Sequence, residues 1–159
     1  MQYRFIQNLT LFLLISSSLS LGANNMEINN DVKQVIYGYA DIIDSRRFDE
    51  LNTIMWDDFT MTGVYDLKGI DGFMGAMDQL VSMYERTMHF IGNIEGQWEG
   101  DIYKGKTYCI ASHIYKENDK YMKLDMGIIY EDTLERRDGS VKFVNRNFNL
   151  QWMKTDQLD

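Results

Sequence analysis

Lys106–Met153 reads KTYCIASHIYKENDKYMKLDMGIIYEDTLERRDGSVKFVNRNFNLQWM. It is three runs of alternating, β-branched and aromatic residues, broken at Glu117-Asn118-Asp119 and Arg137-Asp138-Gly139. Those breaks carry the chemistry of tight hairpin turns, so the runs 106–116, 120–135 and 141–153 are predicted to be consecutive antiparallel strands. Working outward, 87–99 alternates in the same way and is joined through Gly100-Asp101. Before it the period changes. Asp31 is a candidate N-cap, and Val32, Val35, Ile36, Tyr39, Ala40 and Ile43 recur at helical spacing. Ser45, Arg46 and Arg47 end that helix. A short second helix is predicted over 48–56, a strand over 59–67 and a third helix over 70–86, with Phe73, Met77, Leu80 and Tyr84 facing inward. Helices followed by long consecutive strands predict one α+β domain, over residues 27–154, with helices covering an antiparallel sheet.

The 159 residues carry a net charge of −8, which argues against a nucleic-acid partner because nothing would neutralise phosphates. Met1–Ala23 is organised as a secretory signal sequence: Arg4, an apolar run Leu9–Ile15, then small residues up to Ala23. That predicts a periplasmic or secreted protein without a stable membrane anchor, or a cytoplasmic one if Met26 is the true start. Cys109 is the only cysteine and no zinc-type spacing is present, so neither an internal disulfide nor a metal is expected.

The chain has two histidines, His89 and His113, both in strand segments. Strict alternation puts Thr87, His89, Ile91 and Asn93 on one face of their strand, and Cys109, Ala111, His113 and Tyr115 on one face of the next. It groups Met126, Ile128, Tyr130 and Asp132 on the third, and Val144, Arg146, Phe148, Leu150 and Trp152 on the last. Arg146 in that apolar stripe needs a counter-charge, for which Asp44 and Asp132 are the candidates. Asp44 lies at the end of the first helix. There it is either a solvated residue beside Arg46 and Arg47 or the partner of a histidine in a proton-transfer pair. Asp41, three residues earlier, falls off the apolar stripe and reads as a polar rim.

The segments Tyr39–Leu51 (YADIIDSRRFDEL), Thr87–Asn93 (TMHFIGN), Gly127–Gly139 (GIIYEDTLERRDG) and Val144-Asn145-Arg146 resemble, in order, those of the SnoaL-like branch of the NTF2-like superfamily. The resemblance implies a cone in which a curved sheet and three helices enclose an apolar pocket. It also implies chemistry like that of scytalone dehydratase and hexachlorocyclohexane dehydrochlorinase, where an Asp–His pair removes a proton from a cyclic substrate. Carried over by position, Asp44 and His89 form that pair, and His113 and Tyr65 assist by polarising the substrate. Arg146 resembles the dehydrochlorinase arginine that stabilises developing negative charge, and Arg146, Tyr130 and Met126 are the candidate substrate-binding residues. Ile43, Ile128 and Tyr130 depart from the dehydratase pattern, so scytalone itself is not the expected substrate.

The expected function is therefore a lyase or isomerase without cofactor or metal, acting on a small apolar molecule held in the pocket. The alternative is a non-catalytic ligand-binding or dimerisation domain of the same fold. In either case a homodimer through the sheet is expected.

Overall fold

In the computed structural model, backbone is described from Ser18 and side chains from Asn30 to Asp159, so the expected signal sequence lies outside the fully described residues. The compact unit Val32–Asp159 carries the whole sheet and the helical segments packed on it. Helix α1 (Ser18–Asp44) is followed by a 3-10 turn (Phe48–Thr53) and strand β1 (Met55–Gly63). The two-residue strand β2 (Leu67–Lys68) leads into helix α2 (Gly69–Met83). Four long strands complete the fold: β3 (Arg86–Glu99), β4 (Ile102–Glu117), β5 (Lys120–Arg137) and β6 (Ser140–Gln157). The α+β order is the expected one. The second helix is a short 3-10 helix, and β1 starts four residues early, at Met55, because Met55 and Phe59 are both buried on the sheet's inner face.

The sheet order is β2-β1-β6-β5-β4-β3. β3 to β6 form the predicted antiparallel meander, and their hairpins use the residues that tight turns demand. Asn118, Asp119, Asp138 and Gly139 all adopt positive φ, as does Gly100 between β3 and β4. β1 joins β6 in parallel, so the sheet is mixed. The long excursion through α2 and four strands separates β1 from β6, which frees that pair from the antiparallel constraint of a hairpin.

Three bulges correct the simple alternation. Between Ile91 and Ile94 β3 carries one residue more than β4, which turns Ile94 inward and leaves Asn93 exposed. On β6 one extra residue lies between Leu150 and Trp152, so Trp152 pairs with Gly127 on the outer face rather than sharing the face of Arg146. Its indole fills the space beside Gly127, where a Cβ would come within 2.2 Å of the ring. A second β6 bulge, at Val144, sends Phe143 inward instead of Val144.

The helices lie over the inner face. Val32, Ile36, Tyr39 and Ile43 of α1 and Phe73 and Met77 of α2 pack with Phe59, Leu134 and Phe143 in one buried cluster. Inside it is a full positive charge. Arg146 is completely buried, and Asp132 is its counter-charge: Nε donates to Oδ1 at 2.7 Å and Nη2 to Oδ2 at 2.9 Å. Thr107 donates a further hydrogen bond to Asp132 Oδ2. The rings of Tyr39, Tyr130 and Phe143 stand 4.2–4.3 Å from the guanidinium carbon, so π faces supply the solvation that water would otherwise give. Burial opposes the charge, but Asp132 outweighs it and holds the Arg146 proton more tightly than usual.

Breaking such a pair on one side strands a buried charge. Asp132→Ala is expected to destabilise the fold by about 3–5 kcal/mol, and Asp132→Leu with Arg146→Met to recover most of that loss, both read by thermal or denaturant unfolding.

Candidate functional site

Asp44 is the last residue of α1, where the helix ends beside β3. β3 is an edge strand, so part of its backbone has no strand neighbour to bond. Asp44 meets that edge. Its Oδ2 accepts the His89 backbone N–H at 2.7 Å, and its Oδ1 accepts the Thr87 hydroxyl at 2.9 Å. The His89 ring completes the set, with Nδ1 2.7 Å from Oδ1. The two side chains are only 6% (His89) and 23% (Asp44) exposed. Burial pushes the Asp44 carboxyl up, but the hydrogen bonds from His89 and Thr87 more than compensate, leaving it below the ordinary carboxylate range. An ionised Asp44 only accepts, so in neutral imidazole Nδ1 carries the proton and Nε2 keeps a lone pair.

His89 lines a cavity of about 170 Å³ between the sheet and the two helices. Ala111 beside it supplies the room, and Met61, Phe73, Met77, Met126, Ile128 and Phe148 supply apolar walls. Among the lining residues, side-chain nitrogen and oxygen atoms belong to Tyr39, Tyr65, Tyr84, Tyr130, Gln79 and the two histidines; no Asp, Glu, Lys or Arg is among them. His113 pairs across the sheet with Thr87, and its ring lies 6.1 Å from that of His89 and 4.6 Å from that of Tyr84. Burial, aided by the neighbouring His89, lowers its pKa to about 4, so at neutral pH His113 is uncharged. Its Nδ1 is buried without a hydrogen bond of ordinary geometry. Burial likewise raises Tyr39 to about 12 and Tyr130 well above the ordinary phenol, which keeps both as neutral donors. Tyr65 is 43% exposed at the opening and packs edge-on against Phe148.

Of the residues singled out from sequence, Asp44 and His89 are in contact, and His113, Tyr65, Tyr130 and Met126 share the cavity with His89. Arg146 does not line it: the ring of Tyr39 and that of Tyr130 stack on its guanidinium, and both these residues line the cavity. Asp41 is exposed and paired with Arg47, as a rim residue should be. Four residues that the sequence pattern marks only as core, helix end or motif neighbour belong to the site as well. Tyr39 and Tyr84 line the cavity, Thr87 bonds Asp44, and Arg46 bonds Thr87. The Thr87–His89 spacing is a legible signal of this, since residues two apart on a strand share a face. Among the described residues no group of three or more His, Cys, Asp or Glu is placed to hold a metal ion.

The profile of the SnoaL-like domain family matches residues 24–147. An uncharacterised protein of Mycobacterium tuberculosis is 23% identical over 123 residues, covering 73% of this chain and 80% of its own length. Among solved structures, a type 2 hexachlorocyclohexane dehydrochlorinase superposes with a TM-score of 0.75 at 21% identity, covering 87% of this chain and 93% of that one. A scytalone dehydratase candidate from Novosphingobium aromaticivorans gives 0.76 at 18% identity, with the same coverage of both chains. At such identities the likeness is one of fold.

A histidine held below its ordinary value binds fewer protons folded than unfolded across roughly pH 4–6.5, so stability should rise with pH through that window. His113→Gln is expected to flatten most of that rise. Denaturant unfolding at pH 4.5 and 7 checks this, and an unchanged slope in the variant would place the acid sensitivity elsewhere.

Proposed function

The chain belongs to the SnoaL-like domain family of the NTF2-like superfamily, and on that premise we propose that it is a lyase or isomerase. It takes a proton from carbon in a small, neutral, mostly apolar cyclic molecule. The observation that carries this reading is the 2.7 Å contact between Asp44 and His89 at the wall of a cavity with no formally charged lining residue. His89 Nε2 is the base. Asp44 fixes the ring's tautomer and stabilises the imidazolium that forms, as a carboxylate does behind a catalytic histidine. The acidic C–H lies next to a carbonyl or one carbon away from a leaving group. Neutral His113 and the Tyr65 hydroxyl donate hydrogen bonds where negative charge gathers on oxygen.

The lining argues for an uncharged substrate. A carboxylate or ammonium entering this cavity would give up its water and meet no opposite charge on the lining, since Arg146 and Asp132 are committed to each other. The volume suits a molecule of one ring or two small ones.

A second reading, ligand binding without turnover, draws on the sheet's outer face. There Met88, Phe90, Tyr108, Ile110 and Trp152 are exposed together. Such a patch suits pairing with a second copy. Export of the mature chain after removal of Met1–Ala23 belongs to the proposal under either reading. No helix among the described residues is long and apolar enough to cross a membrane.

The test is deuterium exchange from D2O into a panel of small cyclic ketones and enones, followed by NMR. The chain should exchange at least one member, and Asp44→Asn and His89→Ala should each slow that exchange by about 10²–10⁴-fold. Equal rates in wild type and both variants would remove the pair from the mechanism. Tight binding of panel members without exchange would favour the binding reading.

A further inference from the structure

Arg46 sits two residues past Asp44 with its backbone in the left-handed region, φ 60°. Glycine or asparagine is usual at that position after a helix, and an arginine there is held by its surroundings. Those surroundings are the candidate site. Nη1 donates to the Thr87 hydroxyl at 3.0 Å and to the Ile43 carbonyl at 3.1 Å, and Nη2 donates to the Tyr84 carbonyl at 3.3 Å. One guanidinium thus bonds the end of α1, the residue that follows α2, and β3, three segments that supply side chains to the site.

The consequence turns on a single proton. The Thr87 hydroxyl has one hydrogen to donate and lone pairs to accept. Arginine is always a donor. With Arg46 occupying the accepting side of Thr87 Oγ1, the hydroxyl hydrogen is directed to Asp44 Oδ1. Asp44 therefore faces His89 with one bond to each oxygen from that residue and a fixed third bond from Thr87.

We propose that Arg46 is a positioning residue of the Asp44–His89 pair, acting through the Thr87 hydroxyl and coupling that pair to the segment of Tyr84 that lines the cavity. This rests on the reading of the pair as the proton-transfer site. The groups that face Asp44 are Thr87 and His89 from β3 and Arg46 from its own helix end, with the His113 imidazole and the Cys109 thiol further along the sheet's inner face. Asp41, on the preceding turn, is committed to Arg47 and Ser45.

The measurement is the titration of the Asp44 carboxyl carbon by NMR in wild type, Arg46→Met, Thr87→Val and the double variant. Each variant first has its fold checked by its amide spectrum. Each single change should raise the Asp44 midpoint by about one pH unit, the size expected for losing one directed hydrogen bond or a neighbouring positive charge. Because Arg46 acts through the hydroxyl, the double variant should shift by clearly less than the sum of the two. Thr87→Ser, which keeps the hydroxyl, should titrate like wild type. An unmoved Asp44 midpoint in a folded Arg46→Met, or strict additivity in the double variant, overturns the proposal. If Arg46→Met does not fold, the Thr87→Val and Thr87→Ser titrations decide: equal midpoints in those two contradict a relay through the hydroxyl. Failure of the proton-transfer reading would show instead in the ketone exchange rates, with these titrations still as expected.

Discussion

A carboxylate drawn partly out of water at the open edge of a sheet must be given donors, and the site is built around how Asp44 obtains them. An edge strand has backbone N–H groups to spare, and α1 ends where one of them, that of His89, can be taken by Asp44 Oδ2. Thr87 and the His89 ring occupy the other oxygen. Because all three donors belong to one strand segment, the helix end and the strand are held in register by the same bonds that orient the imidazole. The structural need of the edge and the orientation of the imidazole are met by one side chain. That economy is why Asp44 holds its charge despite its burial.

The second constraint is the separation of charge from the cavity. Arg146 lies one aromatic layer from the cavity, with its Nε and Nη2 bonded to Asp132 and three rings packed on its guanidinium. The same layer does two tasks: Tyr39 and Tyr130 stack on the cation and line the cavity with neutral phenols. His113 is kept neutral by burial. The interior therefore offers donors and one base, without a fixed net charge to hold ionic molecules. Chemistry in such a space gains from short, pre-oriented hydrogen bonds rather than from ion pairing.

The fold is legible in the sequence because its signals are local: turn residues at 100–101, 117–119 and 137–139, and a change from helical to strand period near Thr87. The misassigned faces share one cause. Alternation assigns faces only while a ladder stays in register, and each bulge reverses the assignment beyond it, so alternation puts Asn93, Val144 and Trp152 on the wrong face. The pair Asp44–His89 is legible only through likeness to a family, since no spacing rule links a helix end to a strand 45 residues later. Arg46 reads as a helix terminator, which it is. Its bonds to Thr87 and Tyr84 depend on a left-handed backbone turn and on where α2 stops, neither of which the local pattern encodes.

If an ionised Asp44 fixes the His89 tautomer and leaves Nε2 free toward the cavity, the imidazole nitrogens must report it. Long-range ¹H–¹⁵N NMR of His89 in its neutral state is the direct measurement. The expected spectrum has a protonated Nδ1 and an unprotonated Nε2, with Asp44→Asn moving the population toward the other tautomer. A wild-type His89 protonated at Nε2, or a tautomer ratio indifferent to Asp44→Asn, would contradict the role given to Asp44.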